Sequence, residues 1–255
     1  MNWKAFSAML ARDAHVARRN FLPLILQNLL QPLLTVFVFG AVMTRGGLMP
    51  ETYKSLLLPG IIAISMVMSG IQAVAMPLIT EFQFTREIED RLLAPMHINW
   101  VAIEKVFAGM VQALAAGMVV LPSAWLILGR LDFSFDHPIE FVVITLLVAL
   151  LSSAGGLTLG CSVGQTNIGL MFSLVIAPMI FFGCTYYPWT ALSSFPILQK
   201  LVLLNPLVHA SEGLRGALAP QFPHLPAVAV IAALLAFDAA LLTIGLIQFR
   251  RKAVS

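Results

Sequence analysis

The chain has 255 residues, 59% of them hydrophobic and 11% charged, with a formal net charge of +3. Its mean hydropathy of +0.91 is more apolar surface than one soluble core of this length can hide, so the composition excludes a water-soluble globular domain and places the chain in a membrane.

Residues 1–20 precede any apolar run and put Trp3, Phe6, Met9 and Leu10 on one side, with Lys4, Arg12, Arg18 and Arg19 elsewhere. That pattern predicts an amphipathic helix lying in the membrane interface. A cleaved signal peptide fits less well, because the following apolar run is too long for its hydrophobic region and no small-residue cleavage site follows. A spanning helix needs about 20 apolar residues, and six segments qualify as candidates: 22–43, 56–79, 106–128, 139–163, 168–184 and 227–249. The expected fold is therefore an all-α membrane protein with six transmembrane helices in a single domain, 1–255. The first span carries Gln27, Asn28, Gln31 and Pro32, a polar set that needs partners in protein rather than lipid. Interhelical hydrogen bonds account for it, and so does lining a subunit interface or a substrate route, the last of which makes Asn28 and Gln31 candidate pathway residues.

Between the second and third spans, residues 80–105 hold Glu81, Glu87, Glu89, Asp90 and Glu104 with Arg86, Arg91 and Lys105. Charge at that density belongs outside the hydrocarbon. Within it Phe84, Ile88 and Leu92 recur at i, i+4, i+8, and Glu87 and Arg91 form an i, i+4 pair on another face, so the segment reads as a short amphipathic helix. Thr80 and Gln83 supply a capping-box start and Pro95 a stop. A charged helix with an apolar stripe on one side of a bilayer is suited to docking on a soluble partner.

The third span has Gly109, Ala113 and Gly117, and the fourth Gly156, Gly160 and Gly164, a four-residue spacing that lets helices approach closely. The segment 185–226 is too apolar for a solvated loop. Its two clusters, 195–204 and 206–218, predict short helices tucked against or partly into the bilayer, the second capped by Asn205 with Pro206 in its first turn. Tyr186, Tyr187 and Trp189 suit the interface level. In the last span Asp238 has no Lys or Arg within any of the six spans to pair with, and it is either a hydrogen-bonded structural group or an acid reached by a cationic substrate. Basic residues set the topology. Lys4, Arg12, Arg18, Arg19, Arg86, Arg91, Lys105, Arg250, Arg251 and Lys252 fall on one side against Arg45, Lys54, Arg130, Lys200 and Arg215 on the other. Ten against five predicts that both termini and the 80–105 loop face the cytoplasm, and that 185–226 is external.

No Gly-x4-Gly-Lys-Ser/Thr phosphate loop and no His-Glu-x-x-His occurs, and the five histidines are scattered. No catalytic residue, metal site or cofactor in this chain is expected, nor an enzymatic activity of its own. Cys161 and Cys184 lack a Cys-x-x-Cys spacing and predict no disulfide.

Together these features resemble the type-2 ABC export permeases, the family of bacterial drug, polysaccharide and nodulation-factor exporter permeases and of YadH-like proteins. The resemblance covers nearly the whole chain. It rests chiefly on Arg86-Glu87-Ile88-Glu89-Asp90-Arg91-Leu92-Leu93-Ala94-Pro95 before the third span, on Leu58-Pro59-Gly60, and on Asn205-Pro206-Leu207-Val208-His209 followed by Arg215. The pattern upstream of this last signature fits less well around Thr185. The resemblance implies an exporter of a hydrophobic or amphiphilic substrate (a drug, lipid or glycan) in the cytoplasmic membrane. It implies a separate ATPase subunit holding ATP and Mg, a second permease subunit and no nucleic-acid partner. By position, Phe84, Arg86, Glu87, Ile88, Glu89, Arg91 and Leu92 would couple to the ATPase, and Asn205, Pro206, His209 and Arg215 would form the external signature. Two other classes remain open on the residues alone. A secondary transporter would want ionisable groups in several spans, where only Asp238 qualifies, and a membrane scaffold would need no transport route.

Overall fold

The computed structural model describes Leu30 and residues 32–82, 97–129, 133, 136–164 and 167–254. Among them the fold is all-helical, with no strand. The helices are α1 (Pro32–Arg45), α2 (Tyr53–Thr80), α3 (Ile98–Leu128), α4 (Pro138–Ser162), α5 (Ile168–Phe181), α6 (Pro196–Leu201), α7 (Pro206–Leu218) and α8 (Ala227–Val254).

Local sequence explains most boundaries. The His97 side chain accepts from the Asn99 N–H at 3.4 Å to start α3, and Gly129 ends it at φ 76°, a left-handed conformation that glycine adopts without strain. Pro138 occupies the first turn of α4, with Glu140 beside it, where a missing N–H costs nothing and an acid complements the helix dipole. Pro59 and Pro77 lie inside α2 and Pro122 inside α3, positions a bundle tolerates when neighbouring groups satisfy the freed carbonyls.

Four helices, α2, α3, α4 and α8, are long and apolar enough to cross a membrane, whereas α1 and α5 are shorter apolar helices. The two short ones each contain a π-helical stretch, Val36–Val42 and Phe172–Ile176. Buried residues make up 72% of the apolar window of α2 but only 22% of that of α8. The second helix is therefore the axis of the bundle, and the last presents most of its side chains outward. Close approach of α4 to α2 follows the predicted small-residue ladder. A Cβ on Gly156 would sit 2.9 Å from the Ile71 carbonyl oxygen, and one on Gly160 would sit 2.9 Å from Ala75 Cα. Gly109 and Gly117 of α3 likewise press on Val74 and Met66 of α2, while Gly164 lies beyond the end of α4.

Two expectations need correction. The helix that carries the third candidate span begins at Ile98, ahead of 106, so Glu104 and Lys105, expected in the loop, are helical and buried, at 0% and 4% exposure. Thr80 starts nothing: it is the last residue of α2, its hydroxyl donating to the Met76 carbonyl at 3.0 Å. The charge in this stretch fooled a reading based on density alone, because an acid and a base on two neighbouring helix ends can satisfy each other inside protein. The interfacial helix at 1–20 and most of the first span, with Asn28 and Gln31, lie outside the described residues. So does the stretch carrying Phe84, Arg86, Glu87, Ile88, Glu89, Arg91 and Leu92.

Candidate functional site

Helix α7 has the sequence Pro-Leu-Val-His-Ala-Ser-Glu-Gly-Leu-Arg-Gly-Ala-Leu, and every residue from Leu207 to Leu218 is buried. Ala210, Ser211, Gly213, Gly216 and Ala217 give it a narrow waist, which allows it to be enclosed by α2, α4 and α8. A Cβ on Gly213 would meet Val230 of α8 at 2.7 Å and Ile144 of α4 at 3.1 Å. The helix starts as its sequence predicts, with Asn205 Oδ1 accepting from the Leu207 N–H at 3.0 Å and Pro206 following. Asn205 Nδ2 also donates to the Met179 carbonyl at 2.8 Å, tying the cap to the end of α5.

Two side chains of opposite charge sit inside this apolar enclosure. Glu212 and Arg215 are both fully buried and pair through Oε1 and Nη1. The guanidinium also donates from Nη2 to the Cys184 carbonyl at 2.9 Å and from Nε to the Leu56 carbonyl of α2 at 3.4 Å. The carboxylate accepts the Trp189 N–H on Oε1 at 2.9 Å and the Leu225 N–H on Oε2 at 3.1 Å. Burial pushes the Glu212 carboxyl up, opposed by Arg215 and the two N–H groups, and pushes the Arg215 guanidinium down, opposed by Glu212. Acceptance of N–H donors on both oxygens is what an ionised carboxylate offers. One ion pair thereby holds four stretches of chain together: the first turn of α2, the turn after α5, the 3-10 helix at Trp189–Ser194 and the approach to α8.

Around it the 182–226 segment is fastened at several further points. Tyr53 Oη donates to the Tyr186 carbonyl at 2.9 Å, and the Tyr186 ring stacks on Phe39 of α1 at 5.7 Å. Ser211 Oγ donates to the Gly183 carbonyl at 2.6 Å, and Trp189 Nε1 to the Gln199 carbonyl at 2.8 Å. Gly60 of α2 is required here: a Cβ would fall 1.9 Å from the Thr185 carbonyl oxygen, inside any allowed contact. Cys184 adopts φ 51°, an uncommon conformation for a residue other than glycine, in the turn whose carbonyl Arg215 grips. The segment is a helical wedge set into one end of the bundle.

The structure gathers Asn205, Pro206, His209 and Arg215 in one helix and its cap. His209 Nε2 lies 2.9 Å from the Leu203 carbonyl, with its ring 5.8 Å from that of Phe237. Glu212, which completes the site, was not among the predicted residues. Its signal was available as an acid and a base three residues apart, on one helical face among apolar and small residues. Asp238 lies apart from this network in α8, only 3% exposed, and neither carboxylate oxygen has a hydrogen-bond partner among the described residues. Also among them, no group of three or more His, Cys, Asp or Glu could hold a metal ion, and Cys161 and Cys184 are free thiols.

Residues 4–219 match the family described as ABC-2 type transporter. The chain belongs to the ABC-2 type transporter family. Within the match lie α1 to α7, the Glu212–Arg215 pair and the wedge as far as residue 219. Among curated proteins the chain is similar to the inner membrane transport permease YadH of Escherichia coli strain K12. They are 28% identical over 221 residues, which cover 84% of this chain and 82% of that protein. The permease of the same name from Shigella flexneri matches to the same extent. With its apolar helices, this ABC-2 chain is a multi-pass membrane protein and a transmembrane transporter subunit.

Proposed function

We propose that the chain is the permease subunit of an ATP-driven exporter that moves a hydrophobic or amphiphilic substrate, with a separate ATPase subunit supplying the power. The observation that carries this reading is the ABC-2 match over residues 4–219 in a sequence without a phosphate loop. ATP and Mg then belong to the partner, and the permease has no hydrolytic role of its own. Both termini and residues 83–96 face the cytoplasm on this reading, as the ten-to-five bias of basic residues favours. There Arg86, Glu87, Glu89 and Arg91 engage the ATPase, and two permease copies pair. The wedge at 182–226 then closes the external end of the bundle, and substrate leaves past it.

The test is purification of the tagged chain from membranes of its own host in mild detergent. The expected result is an ATP-binding subunit recovered with it and vanadate-sensitive phosphate release. Reversing Glu89 or Arg86 should abolish that coupling without lowering the amount of inserted permease. Recovery of the chain without any ATP-hydrolysing partner would overturn the reading.

A further inference from the structure

At the end of the bundle opposite the wedge, all four long helices are joined around the two stems of the 83–96 stretch. Lys105 Nζ of α3 pairs with Glu81 Oε1, at the end of α2, at 2.6 Å, with the two residues 4% and 7% exposed. Glu104 beside them is fully buried. The Phe82 ring lies edge-on to Phe249 of α8 at 5.7 Å, and Lys252 Nζ sits 5.0 Å above Phe82. Lys252 also donates to the Cys161 carbonyl at the end of α4 at 3.3 Å, and Ser162 Oγ donates to Gln248 Oε1 at 2.7 Å.

We propose that the Glu81–Lys105 pair, backed by Phe82, Phe249 and Lys252, is a positioning clamp. It holds the two stems of the intervening segment at fixed separation, so that force on that segment reaches the helices. A buried ion pair is a poor way to gain stability, because apolar residues of similar volume often do as well, whereas breaking one by moving a partner away is costly, so the pair enforces a geometry. Here the pair joins the residue that caps the end of α2 to the second turn of α3, so neither stem swings without exposing or stranding a charge. Lys252 extends the same constraint to α8 and α4. Motion taken up by residues 83–96 is thereby passed to four helices as one body rather than absorbed at a hinge. The force-transmitting role rests on the ATPase reading above; the clamp itself does not.

The experiment therefore has two arms, each using Glu81→Gln, Lys105→Gln and the exchanged pair Glu81→Lys with Lys105→Glu. In the first, the purified chain alone in liposomes is treated with trypsin, and cleavage at Arg86 and Arg91 is followed. Each single variant should be cut about tenfold faster, and the exchanged pair should return to within about twofold of the parent, as expected when this buried contact limits local opening. In the second, the complex with the co-purified ATPase is assayed by phosphate release. Permease-dependent hydrolysis should fall about tenfold in the singles while the ATPase stays bound, and should recover in the exchange. Lys252→Gln, which leaves the pair intact, serves if the singles do not accumulate, and should raise cleavage about threefold. Unchanged cleavage in all of these variants overturns the clamp. Faster cleavage with hydrolysis per complex unchanged overturns its role in transmission, since a merely stabilising pair would act on abundance alone. Faster cleavage of the single variants, in a chain that never recruits an ATPase, removes the ATPase reading and leaves the clamp standing.

Discussion

Separating the Glu212–Arg215 pair is the sharpest perturbation of the wedge. Glu212→Gln leaves the guanidinium buried without a counter-charge, with only neutral acceptors left: the Cys184 and Leu56 carbonyls and the new amide oxygen. An uncompensated buried charge costs about 3–5 kcal/mol. The Leu225 N–H loses a carboxylate acceptor besides, a further cost of about 1 kcal/mol or more. Arg215→Met strands the carboxylate instead, but the Trp189 and Leu225 N–H groups still solvate it, so its cost should sit at the lower end, about 3 kcal/mol. Against a total stability of about 5–15 kcal/mol, either single change should lower the unfolding temperature substantially. The double variant buries no lone charge. Its loss should fall short of the sum of the singles by about 3 kcal/mol, the interaction energy of a coupled pair. Unfolding in mixed micelles, followed by tryptophan fluorescence, measures all three. Losses that add to within about 0.5 kcal/mol would refute the argument that the two residues act as one unit.

Cys184 is a free thiol with no exposed surface; iodoacetamide at pH 8 should leave it unmodified in the folded chain, and rapid labelling would contradict its burial. His209 is held below its ordinary 6.5 by burial, with only the Leu203 carbonyl opposing. The unfolded chain therefore binds the proton first, and stability should be level above about pH 7 and fall as the pH drops through about 6, a dependence that His209→Gln should remove from the unfolding midpoint. Asp238→Asn should leave permease-dependent ATP hydrolysis unchanged and stability within about 1 kcal/mol, because the almost wholly buried carboxyl, without a partner among the described residues, already bears a desolvation cost at least as large as that of an amide; loss of transport for cationic substrates alone, with neutral ones still moved, would give it a place on the substrate route.

Composition and hydropathy were enough to make this an all-helical membrane protein, because only a helix satisfies its own backbone in hydrocarbon. The four long spans and the Asn205–Pro206 start of α7 were legible for the same reason: each is a local pattern whose partner is either lipid or its own backbone. The Gly156 and Gly160 ladder was legible as a spacing, but that α2 fills it was not. Charge misled the reading where its partner was distant in sequence. Lys105 looks like loop until Glu81, 24 residues away, is seen beside it, and Glu212 shows only its Arg215 neighbour in sequence until the Trp189 and Leu225 amides converge on it. Gly60 likewise reads as part of a family pattern, yet only the fold shows that the Thr185 carbonyl fills the space its side chain would need. Hydrophobic periodicity reports which groups must leave water. Which buried charge meets which depends on contacts between chain segments far apart in sequence, and those were settled by the packing of α2, α4, α7 and α8.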